Sequence, residues 1–321
     1  MSKPSCLALA AAIACLLSVA SYGAATPAKA ATAPAPSTVA PATANPPAGS
    51  KVVAVQSPAW LVHGGAATPV KPGMLVADGD TLRTAGGGRV YVALPDQSTL
   101  KLGENTEFAT PMMQMAQDQQ GSLFKSVLHV LKGVFRFTTS LVGKSQRRQV
   151  DIQVGTATIG LRGTDVWGRA GTDGSLVALL EGKISMDMPG HQTMMMEQPM
   201  HYMTMDTGGG NMKMDQAVTQ DNVADWAAQT DVAAGTGVLT DDGKWTIALL
   251  SSTNDEDVLD LMEKLAVAGF VSEDTTVTIK GKEWHRLVIM QAASRKDAKA
   301  IAGKVAKISP LMSPWVLPLK N

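Results

Sequence analysis

Residues 284–290 read Trp-His-Arg-Leu-Val-Ile-Met, and this stretch decides the fold of the last quarter of the chain. Leu287 and Ile289 stand two residues apart in it, which is the period of a β-strand. A Lys-Gly-Lys turn at 280–282 separates it from a second alternating run at 275–279. Two short alternating runs joined by a glycine turn predict an antiparallel hairpin.

Two predicted helices flank this hairpin. The first begins after the N-cap Asn254 and ends at Gly269, and the second begins after the N-cap Ser294 and is stopped by Pro310. The outer strands of the module are residues 245–250 and 315–317. The order β-α-β-β-α-β predicts an α+β module at 244–321, with a four-stranded antiparallel sheet and both helices on one face.

The sheet face that the helices leave free is a candidate binding surface. Strand alternation directs Trp284, Arg286 and Val288 outward on this face. An indole can cover the apolar face of a sugar ring, and a guanidinium can donate hydrogen bonds to hydroxyl or carboxylate groups. In the alternative interpretation, Trp284 folds over the sheet edge and Arg286 forms an ion pair with Glu283 or Asp274. The residues alone leave both open.

The same module carries a family resemblance. The strand at 284–288, the Trp-x-Ile opening at 245–247, the Ser-Arg-Lys-Asp-Ala helix start at 294–298 and the Pro-Trp-Val at 314–316 resemble a SPOR domain. The resemblance covers Trp245–Asn321. It implies binding of peptidoglycan glycan strands through the open sheet face, with a preference for strands stripped of stem peptides at the division septum.

The resemblance also implies which residues form the binding face. Ser251, Trp284 and Arg286 fall on positions that carry that face in SPOR domains. The chain has Ala248 where the family usually has a glutamine, which is expected to weaken or alter the ligand preference. The candidate glycan-binding residues are Trp284, Arg286, Ser251 and Val288.

Residues 50–188 are predicted to be a β-rich domain. Short alternating runs at 89–94 and 98–102 are joined by a Pro-Asp-Gln turn, as in a hairpin. Leucine and valine residues at helical spacing predict one helix at 122–134. The remaining strands predict an antiparallel all-β domain.

This β-rich domain resembles the FecR type. The similarity lies in Gly73–Thr84, in Thr158–Trp167 with its Arg-Gly-Thr core, and in Leu180–Ile184. FecR-type regulators usually carry an anti-sigma segment and a membrane helix first, whereas an export signal precedes the domain here. We therefore expect a binding or scaffold module, with another envelope protein as a candidate partner. Arg162 and Asp165 are expected to form a structural ion pair or turn hydrogen bonds.

The N-terminus predicts export. Residues 1–25 have a positive Lys3, an apolar run and small residues before Ala25, as in a signal peptide. An Ala/Pro/Thr-rich linker follows at 26–49. Both cysteines of the chain lie in the signal, so the mature protein would have no thiol. The predicted location is the periplasm of a Gram-negative-type envelope, with membrane contact only if the signal stays uncleaved.

Composition narrows the classes of function. Lys plus Arg equals Asp plus Glu, 28 against 28, which argues against nucleic acid as a partner. The five histidines lack the spacing of a metalloprotease, and no nucleophile elbow occurs. We therefore predict a non-enzymatic envelope protein that binds peptidoglycan. A cell-wall hydrolase is the rival from another class, because SPOR modules are often joined to amidases and lytic transglycosylases.

Residues 189–243 form a methionine-rich segment and a linker with one predicted short helix. Thioether and imidazole ligands suit Cu(I), so a copper or silver site is one interpretation. The other is that methionines fill apolar strand positions, because several of them alternate. The candidate metal ligands are Met194, Met196, Met200, His201 and Met203. No other cofactor is predicted.

Overall fold

The computed structural model describes residues 49–140, 147–207 and 211–319. The predicted signal and all but the last residue of the predicted linker lie outside these residues. Within them the chain forms twenty-two strands and three helices. The first seventeen strands are β1 (Ser50–Gln56), β2 (Ala59–His63), β3 (Ala66–Pro69), β4 (Leu75–Val76), β5 (Asp80–Thr84), β6 (Arg89–Ala93), β7 (Thr99–Leu102), β8 (Glu107–Asp118), β9 (Gly121–Thr138), β10 (Arg147–Val154), β11 (Ala157–Leu161), β12 (Asp165–Gly171), β13 (Gly174–Glu181), β14 (Ile184–Asp187), β15 (Met194–Met196), β16 (His201–Met205) and β17 (Met212–Ala217). The remaining elements are α1 (Gln220–Thr230), β18 (Val238–Thr240), β19 (Trp245–Ser252), α2 (Asp255–Val267), β20 (Glu273–Ile279), β21 (Lys282–Ala292), α3 (Arg295–Val305) and β22 (Trp315–Pro318).

The long strand β9 organises the β-rich region. Its first part pairs with β8 and β10, and its last part pairs with β7 and β12. Between these parts Gly133 has a φ of +92° and leaves no room for a side chain beside Thr106. Glycine adopts such backbone without steric cost. The strand therefore passes from one sheet to the other at this residue, and the apolar faces of the two sheets share one core.

The predicted helix at 122–134 is wrong, because these residues belong to β9. Phe124, Ser126, Leu128 and Val130 are buried in strict alternation, which is strand periodicity. The polar Ser126 occupies one of these buried positions, where its hydroxyl donates to the carbonyl of Met112 at 3.1 Å. A serine on the core face concealed the alternation, and the leucines on both faces then gave a spurious helical spacing.

The expectation of a purely antiparallel domain is also corrected at one place. β9 and β10 run parallel, with Leu123 opposite Arg147 and Val130 opposite Val154. All other pairings of the β-rich region are antiparallel among the described strands. The prediction of a mostly antiparallel β region is confirmed, as is the hairpin of β6 and β7 around residues 95–97.

The C-terminal module has the predicted architecture. Its sheet has the antiparallel order β20–β21–β19–β22. Asn254 and Ser294 cap α2 and α3, as predicted, by accepting backbone N–H groups of the first turn. Both helices pack on one face of the sheet. The core residues that join them to it are Val258, Leu261, Leu265, Ala298, Ile301, Val305, Ile247, Leu249, Leu287 and Ile289.

The C-terminal module is packed directly against the β-rich region. β18 pairs with β1 and also meets β21, so a continuous ladder joins the two. The indole N–H of Trp60 donates to the carbonyl of Ala266 at 3.0 Å. Asp297 accepts backbone N–H groups of the connecting segment from Gly235, Gly237 and Val238 at 2.7–3.1 Å. These bonds fix the orientation of the module on the β-rich region.

Candidate functional site

The helix-free face of the C-terminal sheet is built as rows of cross-strand neighbours. We call it the open face. Trp284 lies beside Val277, and Arg286 lies between Thr275 and Ser251. Directly opposed residues of a sheet share a face, so these side chains form one surface. The structure thus brings together three of the four predicted glycan-binding residues, Trp284, Arg286 and Ser251.

Arg286 is held at the centre of the open face. Its Nε donates to the hydroxyl of Ser251 at 3.3 Å, and both side chains are half-buried. The alternative ion pair of Arg286 with Glu283 or Asp274 does not form. Asp274 instead binds the imidazole of His285, at 2.7 Å. The guanidinium of Arg286 keeps N–H groups that can donate to a ligand.

Val288 lies on the open face but offers little to a ligand. Its side chain is 4% exposed, between Glu273 and Ala248 in the register. Lys71 of the β-rich region reaches this end of the face and binds Glu273 at 2.8 Å. The face is therefore closed around Val288 itself, whereas Trp284 and Arg286 remain half-exposed.

Trp315 is a further aromatic residue on the open face. It is opposite Ala248 in the β19–β22 ladder and is 38% exposed. Ala248 itself is 0% exposed, so the position where a glutamine was expected offers no surface to a ligand. The sequence placed Trp315 in the last strand without assigning it to the binding face. The pairing of Trp315 with Ala248, which is itself paired with Val288, puts Trp315 on the open face. The sequence alone did not give this register.

His285 lies on the helix side of β21, between two carboxylates. Its Nδ1 is 2.7 Å from Asp274 and its Nε2 is 2.9 Å from Asp255 at the start of α2. The hydrogen bond to Asp274 raises the pKa of His285, and the negative charge of Asp255 raises it further. The imidazolium thus ties the hairpin to the first turn of α2.

Asp297 anchors the connecting segment to α3. Burial raises the pKa of this carboxyl, but hydrogen bonds from Ser294 and from three backbone N–H groups outweigh burial and hold the pKa below its ordinary value. The side chain is 1% exposed. The ionised form is therefore the one that the fold stabilises.

The five predicted metal ligands are not all accessible. Met196 and Met203 are buried in the main hydrophobic core. These two methionines therefore fill apolar strand positions. Met194 packs against that core. Met200 directly precedes β16 and His201 begins it; both are half-buried, and the carbonyl of Pro199 is 3.1 Å from the His201 imidazole. The strands β15 and β16 that hold these methionines belong to different sheets.

Exposed methionines of the same segment border a separate concavity. Met195 on β15 is 50% exposed and Met214 on β17 is 42% exposed. They line a concave site of about 370 Å³ together with Met196, Glu197 and Gln198. In the described part of the chain no group of three or more His, Cys, Asp or Glu side chains is placed to hold a metal ion.

The ion pair expected within the Arg-Gly-Thr-Asp core has a different partner. Asp165 binds Arg136 of β9 through two parallel hydrogen bonds of 2.9 and 2.7 Å. Arg162 is exposed and does not contribute. The hydrogen bond to Asp165 raises the pKa of Arg136. The expected structural ion pair therefore exists at Asp165, with an arginine 29 positions away in sequence.

None of the helices in residues 49–140, 147–207 and 211–319 is long and apolar enough to cross a membrane.

Comparison with known proteins gives two matching family models. The model of FecR protein matches residues 80–185, and the model of the SPOR domain matches residues 241–318. The chain thus carries a FecR region followed by a SPOR domain, in the predicted order. The domain boundaries drawn from the sequence stay predictions. None of the curated proteins gives a match.

Two solved structures are similar to this chain. Both are crystal structures of a "putative anti-sigma factor" from Parabacteroides distasonis ATCC 8503, at 1.65 and 2.50 Å resolution. The first is 12% identical, with a TM-score of 0.37, and the match covers 63% of this chain and 96% of that one. The second is 13% identical, with a TM-score of 0.35, and the match covers 75% and 98%.

Proposed function

We propose that this protein is a non-enzymatic envelope protein that binds the glycan strands of peptidoglycan through the open face. One observation carries the proposal: Trp284, Arg286 and Ser251 lie together on the sheet face opposite α2 and α3. An indole can stack on a sugar ring while the guanidinium and hydroxyl bind its polar groups. The SPOR match over 241–318 supports this class of ligand.

The direct test is cosedimentation of the purified protein with purified sacculi. We expect the protein to enter the pellet and to be released by an excess of soluble glycan strands that carry no stem peptides. A protein that stays in the supernatant at micromolar concentration would contradict the proposal. Release of soluble muropeptides from labelled sacculi would instead indicate a hydrolase.

We also propose that the protein acts in the periplasm and concentrates at the division septum. The export-type N-terminus and the SPOR match support this location. A fluorescent fusion to the full chain should be enriched at midcell in dividing cells. A uniform halo around the cell would count against a preference for septal glycan.

The β-rich region that contains the FecR match is proposed to be a scaffold that holds the open face in a fixed orientation. The ladder from β1 through β18 to β21 and the hydrogen bond from Trp60 to Ala266 support this role. A partner envelope protein would then bind the FecR region while the SPOR domain binds the wall. Crosslinking in intact cells, with and without residues 50–240, tests for such a partner.

A second function, binding of a soft cation such as Cu(I), is proposed for the methionine concavity at Met195, Met196 and Met214. The observation that favours it is the pair of exposed thioethers at one concave site beside Glu197. Isothermal titration with Cu(I) under reducing conditions should give heat that the double variant Met195→Leu and Met214→Leu loses. Met115→Leu is the matched control, because Met115 is exposed on β8, outside this concavity. Equal heats in all three proteins would contradict the proposal.

A further inference from the structure

Two positive side chains flank Trp284 on the open face, and the protein neutralises neither of them. Lys282 lies two residues before Trp284 on β21, with its Nζ 5.9 Å from the centroid of the indole ring. Arg286 lies two residues after it and donates to the neutral Ser251. Among the described residues, no carboxylate forms an ion pair with Lys282 or Arg286.

Negative charges are kept away from this part of the face. Along β21 the alternation places Glu283 and His285 on the opposite side of the sheet from Trp284. On β20 the open-face carboxylate is Glu273, and Lys71 neutralises it at 2.8 Å. The surface around Trp284 therefore has a net positive charge that comes from the sequence of β21 itself.

An uncharged sugar ring would need only the indole and hydrogen-bond partners. Two uncompensated cations on either side of a stacking ring, roughly 13 Å apart at their Cα atoms, add a preference for an anion. We propose that the open face selects a glycan that bears carboxylates, and that Lys282 is the residue that contacts the carboxylate of the sugar stacked on Trp284. This inference rests on the proposed binding of peptidoglycan.

The chemistry of peptidoglycan makes this preference selective. A muramic acid residue without a stem peptide carries a free lactyl carboxylate, whereas a stem peptide converts that group to an amide. The charge of the lactyl group therefore distinguishes glycan without stem peptides from glycan that carries them. Lys282 would be a specificity-determining residue, and Trp284 would supply affinity for both forms.

The test compares two forms of one ligand. Stem-peptide-free glycan strands are used as isolated, and again after carbodiimide coupling of their carboxyl groups to methylamine. Binding of the full-length protein is measured by fluorescence anisotropy for the wild type, for Lys282→Gln and for Lys299→Gln. Lys299 is the matched control, because it is an exposed lysine on α3, on the other side of the sheet.

We expect the wild type to bind the carboxylate form about threefold to fivefold more tightly than the amide form, as an exposed charge pair provides. In Lys282→Gln most of that affinity difference should disappear, and binding of the carboxylate form should depend less on salt. Lys299→Gln should keep the affinity difference and the salt dependence of the wild type. Equal affinity of the wild type for the two forms would overturn the inference and leave the proposed function standing. An equal loss on both forms in Lys282→Gln would also overturn it, because Lys282 would then act only by supporting the indole. Binding of neither form by the wild type would remove the proposed function as well.

Discussion

The indole N–H of Trp60 donates a 3.0 Å hydrogen bond to the carbonyl of Ala266, near the end of the first helix of the SPOR domain. Trp60 lies on β2 of the β-rich region, ahead of the residues that match FecR, so this bond joins the β-rich region to the SPOR domain. Gly269 makes the approach feasible: it has a φ of +76°, and a side chain there would collide with the Trp60 ring. The two regions are fitted to each other at this point.

Trp60→Phe should lower the free energy of unfolding by about 1 kcal/mol or more, because a part-buried hydrogen bond is lost and the smaller ring also loses its contact with Gly269. The measurement is urea denaturation followed by far-UV circular dichroism. Trp315→Phe is the matched control, since Trp315 is more exposed and its indole makes no such bond to the described residues of the β-rich region. An unchanged midpoint for Trp60→Phe would show that the bond does not stabilise the junction.

Asp297→Asn should destabilise the protein by about 2 kcal/mol at neutral pH, because an amide cannot accept the same set of hydrogen bonds as a buried carboxylate. The pKa of Asp297 is lowered in the folded state. Its stabilisation is therefore present above the ordinary carboxyl pKa of about 4 and is lost as the pH falls through the folded value.

Thermal melts at pH 3 and pH 7 check this prediction. The wild type should lose more stability between these pH values than Asp297→Asn does. Asp242→Asn, at an exposed aspartate, should behave like the wild type. A parallel loss in Asp297→Asn and in the wild type would mean that other carboxylates govern the acid response.

His285 makes the stability of the protein depend on pH in the opposite direction. Its folded pKa is raised by Asp274 and Asp255, so its contribution is fully present below about pH 6.5 and is lost as the pH rises through the raised folded pKa. His285→Gln should reduce the fall in urea midpoint between pH 6 and pH 9. The control is His191→Gln, at an exposed histidine, which should leave the fall unchanged. An identical fall in all three proteins would contradict the assignment.

The sequence was most informative where side-chain alternation and helix caps agreed. Asn254, Ser294 and the alternation after Trp284 predicted the C-terminal sheet, its helices and its open face. It failed at Ser126, because a polar residue on a core face interrupts the pattern. It also could not pair Arg136 with Asp165, because that contact depends on the register of two strands distant in sequence.

Burial on the open face was likewise beyond the sequence. Alternation assigned Val288 to the surface, but it could not reveal that Lys71, from a distant loop, reaches that end of the face. The same register placed Trp315 opposite Ala248 on the open face. Long-range packing decides which members of a correctly predicted face are accessible.

Trp315→Ala should weaken binding to glycan strands by about threefold to tenfold without unfolding the domain, since an exposed indole on the open face would be lost. The effect should be smaller than that of Trp284→Ala, because Trp284 lies beside both Arg286 and Lys282. Anisotropy titrations with the stem-peptide-free strands measure it. Unchanged affinity would restrict the binding surface to the part of the face around Trp284.

The most direct measurement of the central claim is cosedimentation with sacculi of Trp284→Ala, Arg286→Ala and the control Lys299→Ala, each first shown to be folded by circular dichroism. Binding through the open face predicts that the first two variants stay in the supernatant and that Lys299→Ala pellets like the wild type. If folded Trp284→Ala and Arg286→Ala pellet like the wild type, the open face is not the surface that binds peptidoglycan.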